Sequence, residues 1–180
     1  MKTIHLALAF LSLAPMAMAE TPVLTVLTYD SFAAEWGPGP AIAKGFEAEC
    51  VCTVAYVTAG DGAALLSRLQ MEGAGSSADI VLGLDTTLTE TARATGLFAP
   101  LAVQAPNDLP VPYTDANFAP FDWGWFAFVY DNTKLTTPPK SFKELAASNL
   151  KIVIQDPRSS TPGLGLVMWV KAAYGDQSAQ

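Results

Sequence analysis

Apolar, strand-like segments alternate with helical segments through the first half of the chain. Residues 23–28 read Val-Leu-Thr-Val-Leu-Thr, a β-branched and apolar composition that is typical of a buried strand. Residues 63–72 place three leucines on one helical face. The same reasoning predicts strands over 51–57 and 78–82, a helix over 41–49, and a third helix that is capped by 85–87 and ends near Thr95. This β-α-β-α-β-α order predicts an α/β fold with a parallel sheet covered by helices.

Three polar loops follow the three predicted strands, at 29–31, 60–62 and 85–87. Because parallel strands end at one edge of a sheet, and ligands bind beyond that edge, these loops predict a binding site. Asp30, Asp61 and Asp85 could meet there as acid–base carboxylates. Aspartates that cap helices would give the same sequence, and we favour capping.

The second half predicts the opening of another α/β unit. A proline-containing loop covers 101–120, and an aromatic strand follows at 122–131. We expect helices over 141–148 and 164–174 and a strand over 151–154. These strands are too few to complete a second sheet.

The first nineteen residues have the pattern of a signal peptide. Lys2 precedes an apolar run over 4–13, which is too short to cross a bilayer as a helix, and Ala17-Met18-Ala19 forms a small-x-small cleavage site. We therefore expect export and cleavage after Ala19.

The remaining residues carry 9 basic and 17 acidic side chains, a net charge of −8. This charge disfavours nucleic acid and anionic lipid, and mildly favours a cationic ligand. Cleavage also removes His5, the only histidine, and with it any Ser-His-Asp or Cys-His mechanism within the chain.

The two cysteines, Cys50 and Cys52, are separated by a single residue, Val51. On a strand, their Cα atoms would lie about 6.5–7 Å apart, at the edge of disulfide reach, so both a bridge and two thiols remain open. Two sulfur ligands without a histidine are too few for a zinc site.

Two helix starts combine polar side chains with free backbone N–H groups. Ser159, Ser160 and Thr161 precede a helix that opens near Pro162, and Asp61-Gly62 opens the helix over 63–72. Such a start can bind phosphate, sulfate or carboxylate, or it can simply be a capped helix. Trp123 and Trp125 share one strand face and, like Tyr29 and Trp36, can either stack on a ligand ring or fill a core.

Several strings of residues resemble the periplasmic thiamine-binding proteins of ABC transporters. They are 28–32 with 36–40, 61–73, 78–85, 155–165 and the Cys50-x-Cys52 pair. The resemblance covers essentially all of the chain after Ala19. It implies a type II periplasmic binding protein fold, in which two α/β lobes are joined by a hinge and close on ligand.

The resemblance divides the chain into a first lobe at 20–120, and a hinge strand with the beginning of a second lobe at 121–180. Family members are longer, so we expect this chain to be a fragment or a truncated gene product with an incomplete second lobe, and to bind thiamine weakly or not at all.

The implied ligand is thiamine, thiamine monophosphate or thiamine diphosphate, which a monomeric binding protein delivers to a membrane permease. The resemblance assigns ligand contacts to Asp61, Gly62, Ser160 and Thr161, and ring stacking to Tyr29, with no catalytic residue, metal or cofactor. The alternatives are a binding protein for another solute, such as an inorganic anion or ferric ion, and a thiaminase-like enzyme with a nucleophilic cysteine.

Overall fold

The strand β1 (Val23–Thr28) lies at the centre of a three-stranded sheet in the computed structural model, which describes residues 20–102 and 108–178. β2 (Thr53–Thr58) and β3 (Ile80–Leu82) pair with β1 in parallel, in the order β2-β1-β3. The register places Thr28 opposite both Thr58 and Leu82, so the three strands end level with one another. The predicted parallel sheet is thereby confirmed.

Six helices surround or follow this sheet in the described part of the chain. They are α1 (Asp30–Ala33), α2 (Gly39–Cys50), α3 (Gly62–Glu72), α4 (Thr89–Ala94), α5 (Phe142–Ala146) and α6 (Thr161–Tyr174), with 3-10 turns at Gly73–Gly75 and Gly175–Gln177. The short α1 lies in the segment that the sequence predicts as a loop. In both described ranges, no helix is long and apolar enough to cross a membrane.

The core lies between one face of the sheet and α3. Leu27 of β1 packs with Leu65 and Leu69 of α3, and all three side chains are buried. This contact follows from the sequence, since alternate residues of a strand and residues i and i+4 of a helix each share one face. The opposite face of the sheet carries an apolar groove beside α2 and Phe32.

The cysteines lie outside β2, contrary to the predicted strand over 51–57. Cys50 ends α2 and Cys52 precedes β2, with a Cα–Cα distance of 5.2 Å and a disulfide between them. Val51 stands between them with a φ of +53°, a left-handed conformation that is uncommon for a β-branched residue. This turn brings the cysteines closer than an extended strand would.

Neither Asp30 nor Asp85 caps a helix with its side chain, and the capping prediction is wrong for both. The Asp30 carboxylate instead accepts a hydrogen bond from Gly60 N in the neighbouring loop. α4 begins at Thr89, whereas the Asp85 carboxylate accepts a hydrogen bond from Thr87 N at 2.7 Å within its own turn. Aspartate favours such local turns as strongly as helix caps.

The predicted strands over 122–131 and 151–154 are also wrong, because neither segment has strand structure. A strand requires a hydrogen-bonded neighbour, and neither segment pairs with another among the described residues. Their large side chains are consequently exposed, with Val153 96% accessible. Phe126 is nevertheless in contact with α6, since a Cβ added to Gly165 would lie 2.4 Å from its ring.

Arg93 of α4 holds the loop that contains Asp115. Its Nη2 donates to Asp115 Oδ2 at 2.6 Å, and its Nη1 donates to Asn117 Oδ1 at 2.7 Å. The backbone N–H groups of Asn117 and Phe118 also donate to Asp115. The hydrogen bond from Arg93, with those from the backbone, holds the pKa of Asp115 well below its ordinary value.

Two predicted segments, the signal peptide at 1–19 and residues 103–107 of the predicted loop, lie outside the residues that the structure describes.

Candidate functional site

The loops after β1 and β2 are joined directly at the carboxyl edge of the sheet. Asp30 N donates to Gly60 O at 2.9 Å, and Gly60 N donates back to Asp30 Oδ1 at 3.0 Å. The first loop also reaches the end of β3, because the Tyr29 ring lies against Gly83, the residue that follows this strand. The edge predicted from three separate loops is therefore one continuous surface.

Asp61 caps α3 with its side chain, as the sequence predicts. Its backbone is extended, and its Oδ1 accepts a hydrogen bond from Gly62 N at 2.9 Å. A short polar side chain at this position satisfies one of the free N–H groups at the helix start. The cap leaves the second carboxylate oxygen, Oδ2, available for a contact outside α3.

That second oxygen binds the start of α6. Asp61 Oδ2 accepts a hydrogen bond from Thr161 N at 2.9 Å and another from Ser160 Oγ at 3.1 Å. Ser160 and Thr161 follow Asp61 in the sequence by 99 and 100 positions. One carboxylate thus links the starts of two helices, α3 and α6.

Gly62 allows the two helix starts to approach this closely. A Cβ added at this position would lie 2.7 Å from Thr161 Oγ1 and 2.9 Å from Gly83 O. The Thr161 hydroxyl is fully buried and makes no hydrogen bond to any described residue. A buried hydroxyl of this kind can still donate one hydrogen bond and accept up to two.

Ser160 has a second polar neighbour, the side chain of Gln155. The serine has only one hydroxyl proton, and a carboxylate is its stronger acceptor, so that proton serves Asp61. Gln155 was not identified from the sequence as a site residue. The sequence did offer one indication of this role, because Gln155 is the first residue of the string 155–165, which leads into the start of α6.

The Tyr29 phenol is half-buried beside two carboxylates. Burial raises the pKa of Tyr29 above its ordinary value, and the negative charges of Asp122 and Asp61 raise it further. The side chain is therefore neutral at physiological pH and presents an uncharged ring with a hydroxyl. Asp122, which the sequence reasoning did not single out, lies at the start of the aromatic segment.

All five predicted site residues lie at this edge: Tyr29, Asp61, Gly62, Ser160 and Thr161. The tryptophans do not fill the core. Trp123 and Trp125 contact each other edge to face at 6.1 Å, and both are exposed, as is Trp36.

The carboxylates of Asp30 and Asp85 bond within their own loops or to the neighbouring loop. The Asp61 carboxylate is bonded to two helix starts, so each of the three carboxylates has hydrogen-bond partners other than the remaining two. Among the described residues, no three His, Cys, Asp or Glu side chains converge on a point that could hold a metal ion. The arrangement is suited to binding polar groups of a ligand at two helix starts.

Residues 75–180 match the family model for bacterial extracellular solute-binding proteins. A Brucella suis protein named thiamine-binding periplasmic protein is 53% identical over 94% of this chain and 52% of its own length. An Escherichia coli protein of the same name is 54% identical over 88% of this chain and 50% of its own length.

A solved structure of a periplasmic thiamin binding protein superimposes with a TM-score of 0.83 at 51% identity, over 93% of this chain and 54% of the other. These matches confirm the resemblance drawn from the motifs and the type of α/β fold that it implied. The chain spans about half the length of the curated relatives it matches. It belongs to the family of bacterial extracellular solute-binding proteins.

Proposed function

We propose that this chain acts in the periplasmic solute-binding component of an ABC importer, which binds thiamine and thiamine phosphates and delivers them to a membrane permease. The observation that carries this proposal is the meeting of α3 and α6 at the Asp61 carboxylate, at the carboxyl edge of the sheet. The names of the relatives at 53–54% identity support thiamine as the ligand.

Each site residue has a role that fits its chemistry. Asp61 and Gly62 contact the ligand from the α3 side, and Ser160 and Thr161 contact it from the α6 side. A helix start with hydroxyl groups suits a phosphate or a hydroxyethyl group. The neutral Tyr29 ring suits stacking on an aromatic ring that carries a positive charge.

We propose the same division of the chain that the sequence indicates. Residues 20–120 form the first lobe, and 121–180 form the hinge segment and the beginning of the second. The sheet and α1 to α4 all lie within residues 20–120, whereas α5 and α6 lie within 121–180, and this grouping supports the division.

The protein is exported, loses residues 1–19 by cleavage after Ala19, and acts as a monomer without enzymatic activity. Periplasmic relatives support the location. The disulfide between Cys50 and Cys52 supports a binding role over a thiaminase-like one, because a bridged cysteine is not a thiolate nucleophile. The α6 start favours one alternative ligand class, an inorganic anion such as sulfate.

Calorimetric titration of the full-length protein tests these proposals. We expect one-to-one binding of thiamine, thiamine monophosphate and thiamine diphosphate, and no heat with sulfate or ferric citrate. Thr161→Ala should weaken binding at least about tenfold by removing a buried hydroxyl contact. Thr133→Ala, at an exposed turn, is the matched control and should bind like the wild type. Heat with sulfate and none with thiamine would refute thiamine as the ligand, assign sulfate in its place, and leave the solute-binding role intact.

A further inference from the structure

The start of α6 already carries an anionic partner from within the chain. Both Thr161 N and Ser160 Oγ donate to the same oxygen of Asp61. These are the donors that the proposed function assigns to a ligand. Ser160 is 8% exposed, and Gly62 leaves no space for an added carbon atom, so the contact is enclosed.

A phosphate group would have to compete with this carboxylate. Carboxylate and phosphate oxygens only accept hydrogen bonds, and both are favoured at the positive end of a helix. A phosphate at the same donors must displace Asp61 or lie beside its negative charge, which costs binding energy. The thiazolium charge and the pyrimidine ring are common to thiamine and thiamine monophosphate, so these groups do not alter the comparison.

We propose that Asp61 is a specificity-determining residue, whose carboxylate competes with a ligand phosphate for the start of α6 and lowers the affinity for phosphorylated thiamine relative to thiamine. This inference rests on the proposed function. It adds a selectivity mechanism that involves the same site.

Titration of full-length Asp61→Asn with thiamine and with thiamine monophosphate tests the inference. Asparagine is as good a helix cap as aspartate, so α3 keeps its start. It removes the charge, and it cannot accept from both helix starts as the carboxylate does. We expect the ratio of the Kd for thiamine to the Kd for thiamine monophosphate to rise about tenfold or more, since charge-assisted hydrogen bonds are lost.

Asp85→Asn is the matched control. It removes one negative charge at the same edge of the sheet, from a carboxylate that bonds only within its own turn. We expect its ratio to stay within about threefold of the wild type, because exposed charges are screened by solvent and salt. An equal rise in both variants would assign the effect to general electrostatics and overturn the inference.

The remaining outcomes are distinguishable. An unchanged or lower ratio for Asp61→Asn overturns the inference but keeps the proposed function. Failure of wild-type protein to bind either compound refutes the proposed function itself. If only Asp61→Asn binds neither compound, inorganic phosphate is the probe. If inorganic phosphate raises the urea midpoint of unfolding more for Asp61→Asn than for the wild type, the competition is supported. An equal or smaller rise overturns it.

Discussion

Gly83 supports the Tyr29 ring from the end of β3, and replacing it by alanine separates a steric contact from backbone strain. Its φ is +113°, a conformation that L-residues rarely adopt. A Cβ there would lie 2.3 Å from Tyr29 Cδ1 and 3.3 Å from Leu65 Cδ1. The ring must therefore move, and Leu65 belongs to the fully buried core.

Two costs add in Gly83→Ala. Holding alanine in a sparsely populated conformation costs about 1–3 kcal/mol. Forcing a methyl group against the Tyr29 ring costs about 1–3 kcal/mol more. The reduced freedom of the unfolded chain offsets about 0.4–1 kcal/mol of this. We expect Gly83→Ala to lower the free energy of unfolding by about 2–5 kcal/mol.

Gly96→Ala is the control for backbone strain alone. Gly96 has a φ of +71°, and an added Cβ would meet nothing within 4 Å. Its substitution should cost only about 1 kcal/mol. Urea unfolding followed by far-ultraviolet circular dichroism measures the free energy of unfolding of both variants. The slope of this free energy against urea concentration should match that of the wild type, which is the two-state check. Equal losses in the two variants would refute the claim that the Gly83 cost comes from the Tyr29 contact.

Three further changes test the core, the Asp115 loop and the disulfide. Leu65→Ala removes a side chain with 0% exposure and should cost about 2–5 kcal/mol in chemical denaturation, whereas Met71→Ala on the exposed face of α3 should cost under about 0.5 kcal/mol. Because the pKa of Asp115 is lowered in the folded state by its hydrogen bond from Arg93, the stability it contributes is present above its unfolded value of 3.8 and is lost as the pH falls through and below that value. The difference in unfolding free energy between wild type and Asp115→Asn, measured from pH 7 to pH 2, should therefore shrink below about pH 4; a constant difference would contradict the assignment. Reduction of the disulfide opens a loop of only three residues and should lower the free energy of unfolding by no more than about 2 kcal/mol, measured with and without dithiothreitol; a loss of global folding would contradict it.

Local patterns were sufficient to predict the sheet and its edge. The strand at 23–28 and the helix that starts after Asp61 depend on residue spacing and capping within about ten residues, and both were predicted within one residue of their bounds. The end of α6 at Tyr174 was likewise predicted, since its apolar run stops before Gly175.

Contacts between distant segments had no such local signal. The bond from Thr161 N to Asp61 joins residues 100 positions apart, and neither segment alone indicates its partner. Asp122 was missed for the same reason, because only the packed structure brings it to Tyr29. The aromatic run at 122–131 has strand composition, but composition supplies no neighbour with which to form a ladder.

The level ends of the three strands restrict where this chain can accept insertions. Thr28, Thr58 and Leu82 are paired across the sheet, so the loops that follow them begin at one height. One residue inserted inside β2 would displace Asp61 by about 3.3 Å and turn the following side chains to the opposite face. The same residue inserted in the turn at Gly73–Gly75, at the other end of α3, would leave the strand ends aligned. Changes in length among homologous sequences should therefore accumulate at the end of the sheet away from the site.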